Sequence, residues 1–434
     1  MRCDQAVLAV IVGYRQRADV LAAVAAVQAQ QPQAPAVLVV DNASDDGTAI
    51  AVRQAHPEVT VRRLSENTGG AGGFAIGMRQ ALTQGYDWCW LIDGDACPEP
   101  GALAALLAAV RDEQVAVVAA QIVMRDRPQM VQEIGAGQDA LGRPRFIAAF
   151  ARRDPARPGR RLAYGAACSC LVRCSAMAGV GTFDPGLFIF YDDIWWCHRL
   201  RRAGHRIISA PAALVQHRWH GAKAPSVLRS YYGVRNELLY QAWRGQGPWG
   251  LVVLGAWLAR AWRRQARWTA QGWDDQAAAT GQAVADAVAG RLGRRHDGLM
   301  VATVSPHPPP PLTRPVVICD GELARDLFVI ETLLAAGIRP LVQGAGPICQ
   351  LLAGRVDWAD GQSEDHDAVV LVGRYPRRLP AGPCWRLGAT GWVRVDHAGW
   401  ATSVSWRQAI IWVDQLYRLW QCGRRSVRGV AAWS

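Results

Sequence analysis

Two aspartates separated by one residue, Asp93 and Asp95, directly follow an apolar run that is typical of a buried strand. Carboxylates at this spacing can both reach one hard divalent cation, and Mg²⁺ or Mn²⁺ is often held by one or two carboxylates together with substrate phosphates. Gly94 between them would let the backbone approach a ligand closely. Acidic pairs also occur in turns that cap a helix, so the motif by itself leaves a metal site and a structural turn open.

A glycine-rich stretch and a separate aspartate could contribute to a nucleotide site. The stretch from Asn67 to Gly73 contains four glycines ahead of a predicted helix. Backbone amides at a helix N-terminus can bind phosphate oxygens where glycine leaves room. Asp41 ends an earlier apolar run, and its carboxylate could accept a hydrogen bond from a nucleobase N–H or a ribose hydroxyl. Both stretches could equally form ordinary turns.

The aromatic run from Phe188 to Tyr191 is predicted to be a strand that delivers Asp192 and Asp193 to the start of a helix. One of these carboxylates could act as a general base toward an acceptor hydroxyl. Acidic residues also favour helix N-termini because they interact with the helix dipole, which is a purely structural role. His217 follows a strand-like stretch and could either complete a metal site or be structural.

The elements that must position these residues are indicated by the first 120 residues, in which apolar runs alternate with helical stretches. The predicted strands are Ala6–Val12, Ala36–Val40, Val59–Leu64, Trp88–Ile92 and Val115–Ala119. The predicted helices are Ala18–Gln30, Gly73–Gln84 and Gly101–Val110. This alternation indicates an α/β fold with a mostly parallel, Rossmann-like sheet. Ligands of such sheets bind at the carboxyl ends of the strands, where the residues above are found.

The chain has 434 residues, which suggests two or three domains at roughly 100–200 residues per domain. We predict a first domain over residues 1–240, a helical extension rich in Trp and Arg over 241–300, and a Pro-rich linker over 301–315. Residues 316–434 are predicted to form a second, smaller α/β module. Its strand-like runs are Val316–Cys319, Arg339–Val342 and Ala368–Val372. This module has no catalytic pattern, and the sequence does not indicate its role.

The composition excludes a largely disordered chain, because half of the residues are hydrophobic and only 19% are charged. The 11 cysteines form no CxxC pair, so we predict that they are reduced and mostly buried. The N-terminal apolar run is too short for a signal peptide, and no run reaches about 18 uninterrupted apolar residues, as a spanning helix would need. The expected location is cytoplasmic.

The net charge of +12 is concentrated in one part of the chain. Residues 151–264 contain 18 basic and five acidic residues. On a helix from Trp249 to Trp273, Arg260, Arg263, Arg264 and Arg267 cover about a third of the circumference and apolar residues face the other way. The pattern suits a helix lying on an anionic membrane surface, or a packed helix with solvated arginines. The expected partner of this charge is an anionic acceptor or a membrane surface.

Taken in order, the motifs resemble the family-2 glycosyltransferases of the GT-A fold, within the branch of bacterial galactofuranosyltransferases and rhamnosyltransferases. The resemblance covers roughly residues 7–240. It rests on Val-Asp-Asn-x-Ser-x-Asp-Gly-Thr, on Asn-x-Gly-Gly-x-Gly-Gly-Phe, on Trp-Leu-x-Asp-x-Asp-Ala-x-Pro and on the later Asp-Asp segment with its downstream His. The fold class that it implies is a GT-A catalytic domain, followed here by the helical extension and the second α/β module.

The resemblance implies an inverting, metal-dependent transfer of a sugar from a nucleotide-diphosphate donor. The donor would be UDP- or dTDP-linked, for example galactofuranose or rhamnose, and the acceptor a glycan or lipid-linked molecule in cell-surface polysaccharide synthesis. Asp93, Asp95 and His217 would hold Mn²⁺ or Mg²⁺. Asp193 would be the catalytic base, and its neighbour Asp192 is also expected to be a catalytic residue. The donor contacts would be Gly13, Tyr14, Asp41, Asn67, Gly69 and Gly70.

Two departures from the family pattern concern the acceptor and the metal motif. Trp195 and Trp196 stand where close relatives usually carry a third acid, and Gly94 stands where they often carry another Asp. Trp195 could stack on a sugar ring or belong to the core. Alternative functions are a nucleotide-sugar-forming nucleotidyltransferase and a degenerate GT-A domain that only binds. A nucleic-acid partner is not expected, since no recognition motif accompanies the charge. A homo-oligomer and peripheral association with the cytoplasmic face of the inner membrane are left open.

Overall fold

A computed structural model describes residues 5–218, 226–245, 247–270 and 273–295, together with short strands after residue 315. The described residues fall into two compact units. The first unit contains residues 5–218 and Leu292–Arg294, and the second contains residues 226–291, Arg295 and the later strands. The predicted domain ranges remain a prediction, and the Pro-rich linker over 301–315 lies outside the described residues.

The first unit alternates strands and helices in the order that the sequence predicts. Its strands are β1 Val7–Gly13, β2 Ala36–Asp41, β3 Thr60–Arg63, β4 Trp88–Asp93, β5 Ala96–Pro98, β6 Val115–Met124, β7 Arg127–Glu133, β8 Ala136–Gln138, β9 Pro144–Phe146, β10 Ser169–Arg173 and β11 Arg206–His217. Its helices are α1 Arg17–Gln28, α2 Thr48–Ala55, α3 Gly69–Thr83, α4 Ala102–Ala108, α5 Cys174–Val180 and α6 Asp192–Arg202. Each of the five predicted strands and three predicted helices is present.

Nine strands form one sheet in the order β3-β2-β1-β4-β10-β6-β11-β5, with β7 paired to β6. The first four strands along this order are parallel, whereas β10 runs antiparallel between β4 and β6. The sheet is therefore Rossmann-like on one side and mixed on the other. Because β1 lies between β2 and β4, its carboxyl end is next to the carboxyl ends of both strands. Gly13 is opposite Asp41, and Val12 is opposite Asp93.

The core lies on both faces of this sheet. Strands β1 and β6 are buried along their whole length, as expected for strands that are covered on both faces. Helix α3 begins at Gly69, four residues before the predicted start. The helix continues through its glycines because they allow close packing on β1. A Cβ at Gly73 would lie 2.5 Å from Val12, and one at Gly77 would lie 2.1 Å from Val10.

The second unit contains a π-helical turn, Arg229–Gly233, and the helices α7 Val234–Arg244, α8 Gly247–Ala270 and α9 Asp274–Val288. The predicted helix from Trp249 to Trp273 therefore ends at Ala270, and Trp273 is the buried residue ahead of α9. Most of the predicted apolar side of α8 is buried, including Leu254, Trp257 and Trp268, so this side packs inside the protein. Among the residues that the structure describes, no helix has the length and apolar character needed to cross a membrane.

The strands after residue 315 form a second sheet. They are β12 Val316–Ile318, β13 Leu341–Gln343, β14 Asp357–Trp358, β15 Val369–Leu371, β16 Cys384–Gly388 and β17 Gly391–Arg394. Their order is β14-β13-β12-β15-β16-β17, parallel except for the last pair. The three strands predicted in this part of the chain are present, and the order is that of a doubly wound α/β sheet.

Candidate active site

Sheet register brings the predicted metal ligands to one place. Asp93 is the last residue of β4, and after a two-residue turn through Asp95 the chain enters the short strand β5. The first residue of β5, Ala96, pairs with His217 at the end of β11. Asp93, Asp95 and His217 therefore meet although the histidine is more than 100 residues away in sequence.

Three side-chain oxygens lie around the imidazole ring of His217, one beside Nδ1 and two beside Nε2. Its Nδ1 atom lies 2.9 Å from Oε1 of Gln132, and since an amide oxygen only accepts, Nδ1 carries a proton. Its Nε2 atom lies 3.2 Å from Oδ1 of Asp95 and 4.0 Å from Oδ2 of Asp93. A neutral imidazole would point a lone pair at two ionised carboxylates, which is unfavourable unless positive charge lies between them. Either a proton on Nε2 or a divalent ion satisfies this arrangement, and the two carboxylates are donors that suit Mn²⁺ or Mg²⁺.

The protonation equilibria reflect the same crowding of negative charge. Burial and the neighbouring charge of Asp95 raise the pKa of Asp93 to about 6, and the carboxylate of Asp193 adds to this effect. Burial opposes the charged form of His217, but its hydrogen bond to Asp95 and the charges of both aspartates outweigh burial and raise the pKa of His217. The carboxylates of Asp93 and Asp95 and the imidazole of His217 therefore interact strongly with one another, and Asp193 is close enough to act electrostatically on Asp93.

Asp193 lies in the first turn of α6. Its Oδ1 accepts a hydrogen bond from the backbone N–H of Ile194 at 2.7 Å, and its Oδ2 accepts one from the N–H of Ala167 at 3.4 Å. Burial raises the pKa of Asp193 to about 6 in spite of these hydrogen bonds. Burial and the charge of Asp193 raise the pKa of Asp192 well above its usual range. Asp193 is thus placed to accept a proton near neutral pH, whereas Asp192 is buried and favours its protonated form.

The segment that precedes these aspartates is not the predicted strand. It follows a short 3₁₀ turn, Pro185–Leu187, and Phe188, Phe190 and Tyr191 all have positive φ angles of 65–67°. Residues with side chains rarely adopt this left-handed conformation, and strain of this kind is concentrated at functional sites. The prediction was wrong because the high β-propensity of aromatic residues does not reveal a tertiary contact that forces the backbone to bend.

That contact is with the glycine-rich stretch. The carbonyl of Phe188 accepts the N–H of Ala71 at 3.0 Å, and a Cβ at Gly69 would lie only 1.9 Å from this carbonyl oxygen. Gly69 has φ of +72°, and its N–H donates to Oδ1 of Asn67 at 2.8 Å. By contrast, a Cβ at Gly70 would meet no atom within 4 Å. Gly69 therefore has a structural task, while Gly70 is the open position of the two.

Asp41 and Gly13 adjoin one another at the ends of β2 and β1. Asp41 is fully buried. Its Oδ1 accepts the N–H of Ser44 at 3.0 Å, and its Oδ2 lies 3.6 Å from Nε of Arg63. The turn-capping role that the sequence left open is therefore present, and a contact to a nucleobase remains a prediction. Gly13 allows α1 to approach, since a Cβ there would lie 2.5 Å from Val20.

Tyr14 and Trp195 are both partly exposed. The guanidinium of Arg15 lies 5.1 Å from the centre of the Tyr14 ring. Of the two tryptophans on α6, Trp196 belongs to the core. Its Nε1 donates to the carbonyl of Gly181 at 2.6 Å. The partial exposure of Trp195 leaves stacking on a sugar ring open for this residue.

Sequence reasoning missed several residues that hold the site. Nη2 of Arg125 donates to the backbone oxygen of Asp95 at 2.5 Å, and its Nη1 donates to the buried carboxylate of Asp19 at 2.7 Å. Nη2 of Arg218 donates to the same carboxylate at 2.8 Å. Gln132, described above, is a further example. No local pattern marks these residues, because the partners of Asp19 are 106 and 199 positions away.

Asn42 also escaped sequence reasoning, although it lies inside one of the family motifs. Its Nδ2 donates to the carbonyl of Gly69 at 2.8 Å, and its Oδ1 accepts the N–H of Thr68 at 2.8 Å. Asn42 is buried. It therefore fixes the start of α3 against the end of β2.

The sheet, Rossmann-like on one side and mixed on the other, is that of a GT-A α/β domain, and the family match identifies a glycosyltransferase. Residues 5–231, just over half of the chain, match the family described as "Glycosyltransferase like family 2", and the chain belongs to this family. It is 31% identical over 211 residues to galactofuranosyltransferase GlfT1 of Mycolicibacterium smegmatis, covering 47% of this chain and 68% of the relative. The alignment with GlfT1 of Mycobacterium tuberculosis covers 66% of that relative.

A second relative lies in the rhamnosyltransferase group. The chain is 28% identical over 241 residues to N-acetylglucosaminyl-diphospho-decaprenol L-rhamnosyltransferase of Mycobacterium tuberculosis, covering 49% of this chain and 76% of the relative. Among solved structures, mannosyltransferase PcManGT from Pyrobaculum calidifontis, in complex with GDP-Man and Mn²⁺, aligns with a TM-score of 0.41 and 18% identity over 65% of this chain and 75% of that one. The family match and the two groups of relatives confirm the predicted family and branch.

Proposed function

We propose that the protein is an inverting, metal-dependent glycosyltransferase that uses a UDP- or dTDP-linked sugar, such as galactofuranose or rhamnose. The observation that carries this proposal is the position of His217, whose Nε2 faces Asp95 at 3.2 Å and Asp93 at 4.0 Å. The carboxylate of Asp193 interacts electrostatically with that of Asp93. A cluster that can hold a divalent cation, beside a carboxylate that can accept a proton, would supply both functions that glycosyl transfer needs.

Asp93, Asp95 and His217 would hold a divalent cation, Mn²⁺ or Mg²⁺. When bound, such an ion would act as a Lewis acid and would stabilise the negative charge that develops on the departing nucleoside diphosphate. These residues suit a divalent cation because the carboxylates of Asp93 and Asp95 face Nε2 of His217, while Gln132 holds the Nδ1 side of the ring.

Asp193 would act as the base. The acceptor hydroxyl loses its proton to this carboxylate while the oxygen attacks the anomeric carbon, and the bond between that carbon and the diphosphate breaks. Because bond formation and bond cleavage occur on opposite faces in one displacement, the configuration inverts. A pKa of about 6 suits this task, since Asp193 is then ionised at neutral pH and still basic enough to take a proton.

The donor would lie over the ends of β1 and β2 and the start of α3. Gly13, Tyr14 and Asp41 would contact the nucleotide, and Asn67 with Gly69 and Gly70 would line the donor pocket. Of the four glycines in this stretch, Gly70 leaves the most room for a phosphate oxygen, because a Cβ built there would meet no neighbouring atom within 4 Å. Asp192, buried beside the base, would hold the segment in place.

The acceptor is proposed to be a glycan or a lipid-linked molecule in cell-surface polysaccharide synthesis, with Trp195 as a stacking surface for a sugar ring. This follows from the likeness to the galactofuranosyl- and rhamnosyltransferases. A cytoplasmic location with peripheral association at the inner membrane would suit such an acceptor. Homo-oligomer formation stays a prediction.

Support for a membrane partner comes from the outer side of α8. Trp249 and Val252 are 60% and 57% exposed, and Arg260 and Arg263 are exposed as well. These four residues fall within about 80° of the helix circumference at 3.6 residues per turn. An aromatic and aliphatic end followed by arginines suits an anionic lipid surface, with Trp at headgroup depth and Arg on the phosphates.

The membrane proposal is tested by vesicle flotation at low salt with phosphatidylglycerol-containing and pure phosphatidylcholine vesicles. The protein should float only with the anionic vesicles, and Trp249→Ser and the double variant Arg260→Gln/Arg263→Gln should each reduce binding. Phe146→Ser removes an aromatic residue of similar exposure, 53%, elsewhere in the protein and serves as the control. A wild-type protein that does not float with anionic vesicles would contradict the proposal.

The transferase proposal is tested by thermal shift against UDP- and dTDP-sugars with and without Mn²⁺, followed by turnover of the best donor. We expect donor binding to require the metal and to be lost in Asp95→Ala, whereas Asp126→Ala, an exposed aspartate, should bind like the wild type. Calorimetry gives the affinities. Donor binding that is unchanged by Mn²⁺ and by Asp95→Ala would refute the metal site.

A further inference from the structure

One cysteine lies beside the proposed metal ligands. Within residues 5–218 six cysteines are free, and five of them are buried as the sequence predicts. Cys168 differs from the others in its neighbours. Its Sγ atom, a carboxylate oxygen of Asp93 and a ring nitrogen of His217 all lie within 4.8 Å of one another. These three donor types together can enclose a cation.

The position of Cys168 is fixed by the pairing of β10 with β4. Ser169 pairs with Ile92 in this antiparallel ladder, and the N–H of Asp93 donates to the carbonyl of Cys168 at 3.1 Å. Cys168 is therefore opposite Asp93. Side chains of directly opposed residues lie on the same face of a sheet and close together, so the thiol faces the site because of the sheet register.

We propose that Cys168 is an additional ligand of this metal site, selective for thiophilic divalent cations such as Zn²⁺, Co²⁺ and Cd²⁺. The inference rests on the proposed function, since it concerns the same site. Thiolate, imidazole and carboxylate are the donors that such ions use in proteins. When the metal–sulfur bond forms, the thiol proton passes to solvent and the ion gives up a bound water.

The sulfur of Cys168 should distinguish hard divalent cations, such as Mn²⁺ and Mg²⁺, from thiophilic ones. Mn²⁺ and Mg²⁺ favour oxygen donors, so the carboxylates of Asp93 and Asp95 serve them without a contribution from sulfur. Thiophilic ions gain a sulfur contact in addition. The site should therefore discriminate in favour of Zn²⁺ or Cd²⁺ through Cys168, and this discrimination should vanish when the sulfur is removed.

The test uses the full chain with Cys168→Ser and the matched variant Cys170→Ser, a buried cysteine two residues further on, within β10 and opposite Leu91. Titration with Co²⁺ should produce thiolate-to-cobalt charge-transfer absorption in the wild type and in Cys170→Ser, but not in Cys168→Ser. Calorimetry should show Cd²⁺ binding weakened at least about tenfold in Cys168→Ser only, with Mn²⁺ affinity unchanged. Thermal unfolding of the metal-free variants checks the fold, and Cys168→Ala replaces the serine variant if that protein does not fold.

Absence of the charge-transfer band in the wild type would overturn the inference. Retention of the band in Cys168→Ser, or an equal loss of Mn²⁺ and Cd²⁺ affinity in that variant, would do so too. Failure of the proposed function has a different signature. If the wild type shows no Mn²⁺-dependent donor binding, the transferase proposal fails, whereas intact Mn²⁺-dependent binding without the band refutes only the role of Cys168.

Discussion

The Nδ1 atom of His217 lies 2.9 Å from the side-chain oxygen of Gln132, while its Nε2 atom lies 3.2 Å from Asp95. The first contact fixes the proton on Nδ1, and the imidazole therefore presents Nε2 to the two carboxylates. Partners of this kind orient a metal-binding histidine and raise its basicity. Gln132 is thus a positioning residue for the proposed metal site.

Replacing Gln132 by Leu should weaken Mn²⁺ binding by about 10- to 100-fold, because the imidazole loses the acceptor that fixes its orientation. Calorimetric titration of the metal-free protein with Mn²⁺ measures the change. Gln129→Leu, on the same strand but exposed, should leave the affinity unaltered. An unchanged Mn²⁺ dissociation constant in Gln132→Leu would show that His217 is oriented by other contacts.

Asp193→Asn should reduce transfer by at least about 100-fold, because the amide cannot accept the acceptor proton. Donor binding in the presence of Mn²⁺ should persist, since the variant keeps the shape of the side chain and the three metal ligands. Activity assays and calorimetry on one preparation separate the two effects. Asp184→Asn, which removes a carboxylate that caps the preceding turn, controls for loosening of the segment. Full activity in Asp193→Asn would eliminate this residue as the base.

The pH profile follows from two raised pKa values. Asp193, with a pKa of about 6, must be ionised to accept a proton, so kcat/KM at saturating Mn²⁺ should fall about tenfold per unit as the pH drops below 6. Asp93, also with a pKa of about 6, must be ionised to bind the metal. At subsaturating Mn²⁺ the decline should therefore be steeper. A profile that stays flat down to pH 5 would argue against Asp193 as the base.

Local patterns in the sequence were sufficient for β1, β2 and β4 and for the motifs at their ends, because a short apolar run followed by a polar turn fixes both the strand and the place where it stops. Local patterns failed where contacts between residues far apart in the sequence determine the backbone conformation. The run from Phe188 to Tyr191 bends because Gly69 and Ala71 approach its backbone, and no propensity scale contains that contact. The antiparallel insertion of β10, which brings Cys168 to Asp93, is equally invisible in a local reading.

Replacing Gly69 or its neighbour Gly70 by Ala should change the stability of the protein in different ways. Gly69→Ala places a Cβ 1.9 Å from the Phe188 oxygen at φ of +72°, so we expect a loss of more than about 2 kcal/mol in the free energy of unfolding. Gly70→Ala meets no atom within 4 Å and should be neutral or stabilise the helix by up to about 1 kcal/mol. Urea unfolding measures both. Equal stability of the two variants would contradict the close approach of Phe188.

A last prediction concerns Arg125, which links Asp19 to the backbone oxygen of Asp95. Arg125→Met should weaken Mn²⁺ binding about tenfold or more, because the turn that carries Asp95 loses its anchor. It should also destabilise the protein. Of the two ion pairs that the structure describes for the buried carboxylate of Asp19, only the one with Arg218 would remain. Arg111→Met, at an exposed position, is the control.

The double variant Arg125→Met/Asp19→Asn separates these two effects. Neutralising Asp19 removes the cost of the poorly compensated buried charge, so the free energy of unfolding should recover in part. The Mn²⁺ affinity should not recover, because Asp95 still lacks the donor to its backbone oxygen. If stability and affinity recover together, Arg125 acts only by keeping the fold intact, and its proposed influence on the geometry of the metal site would have to be abandoned.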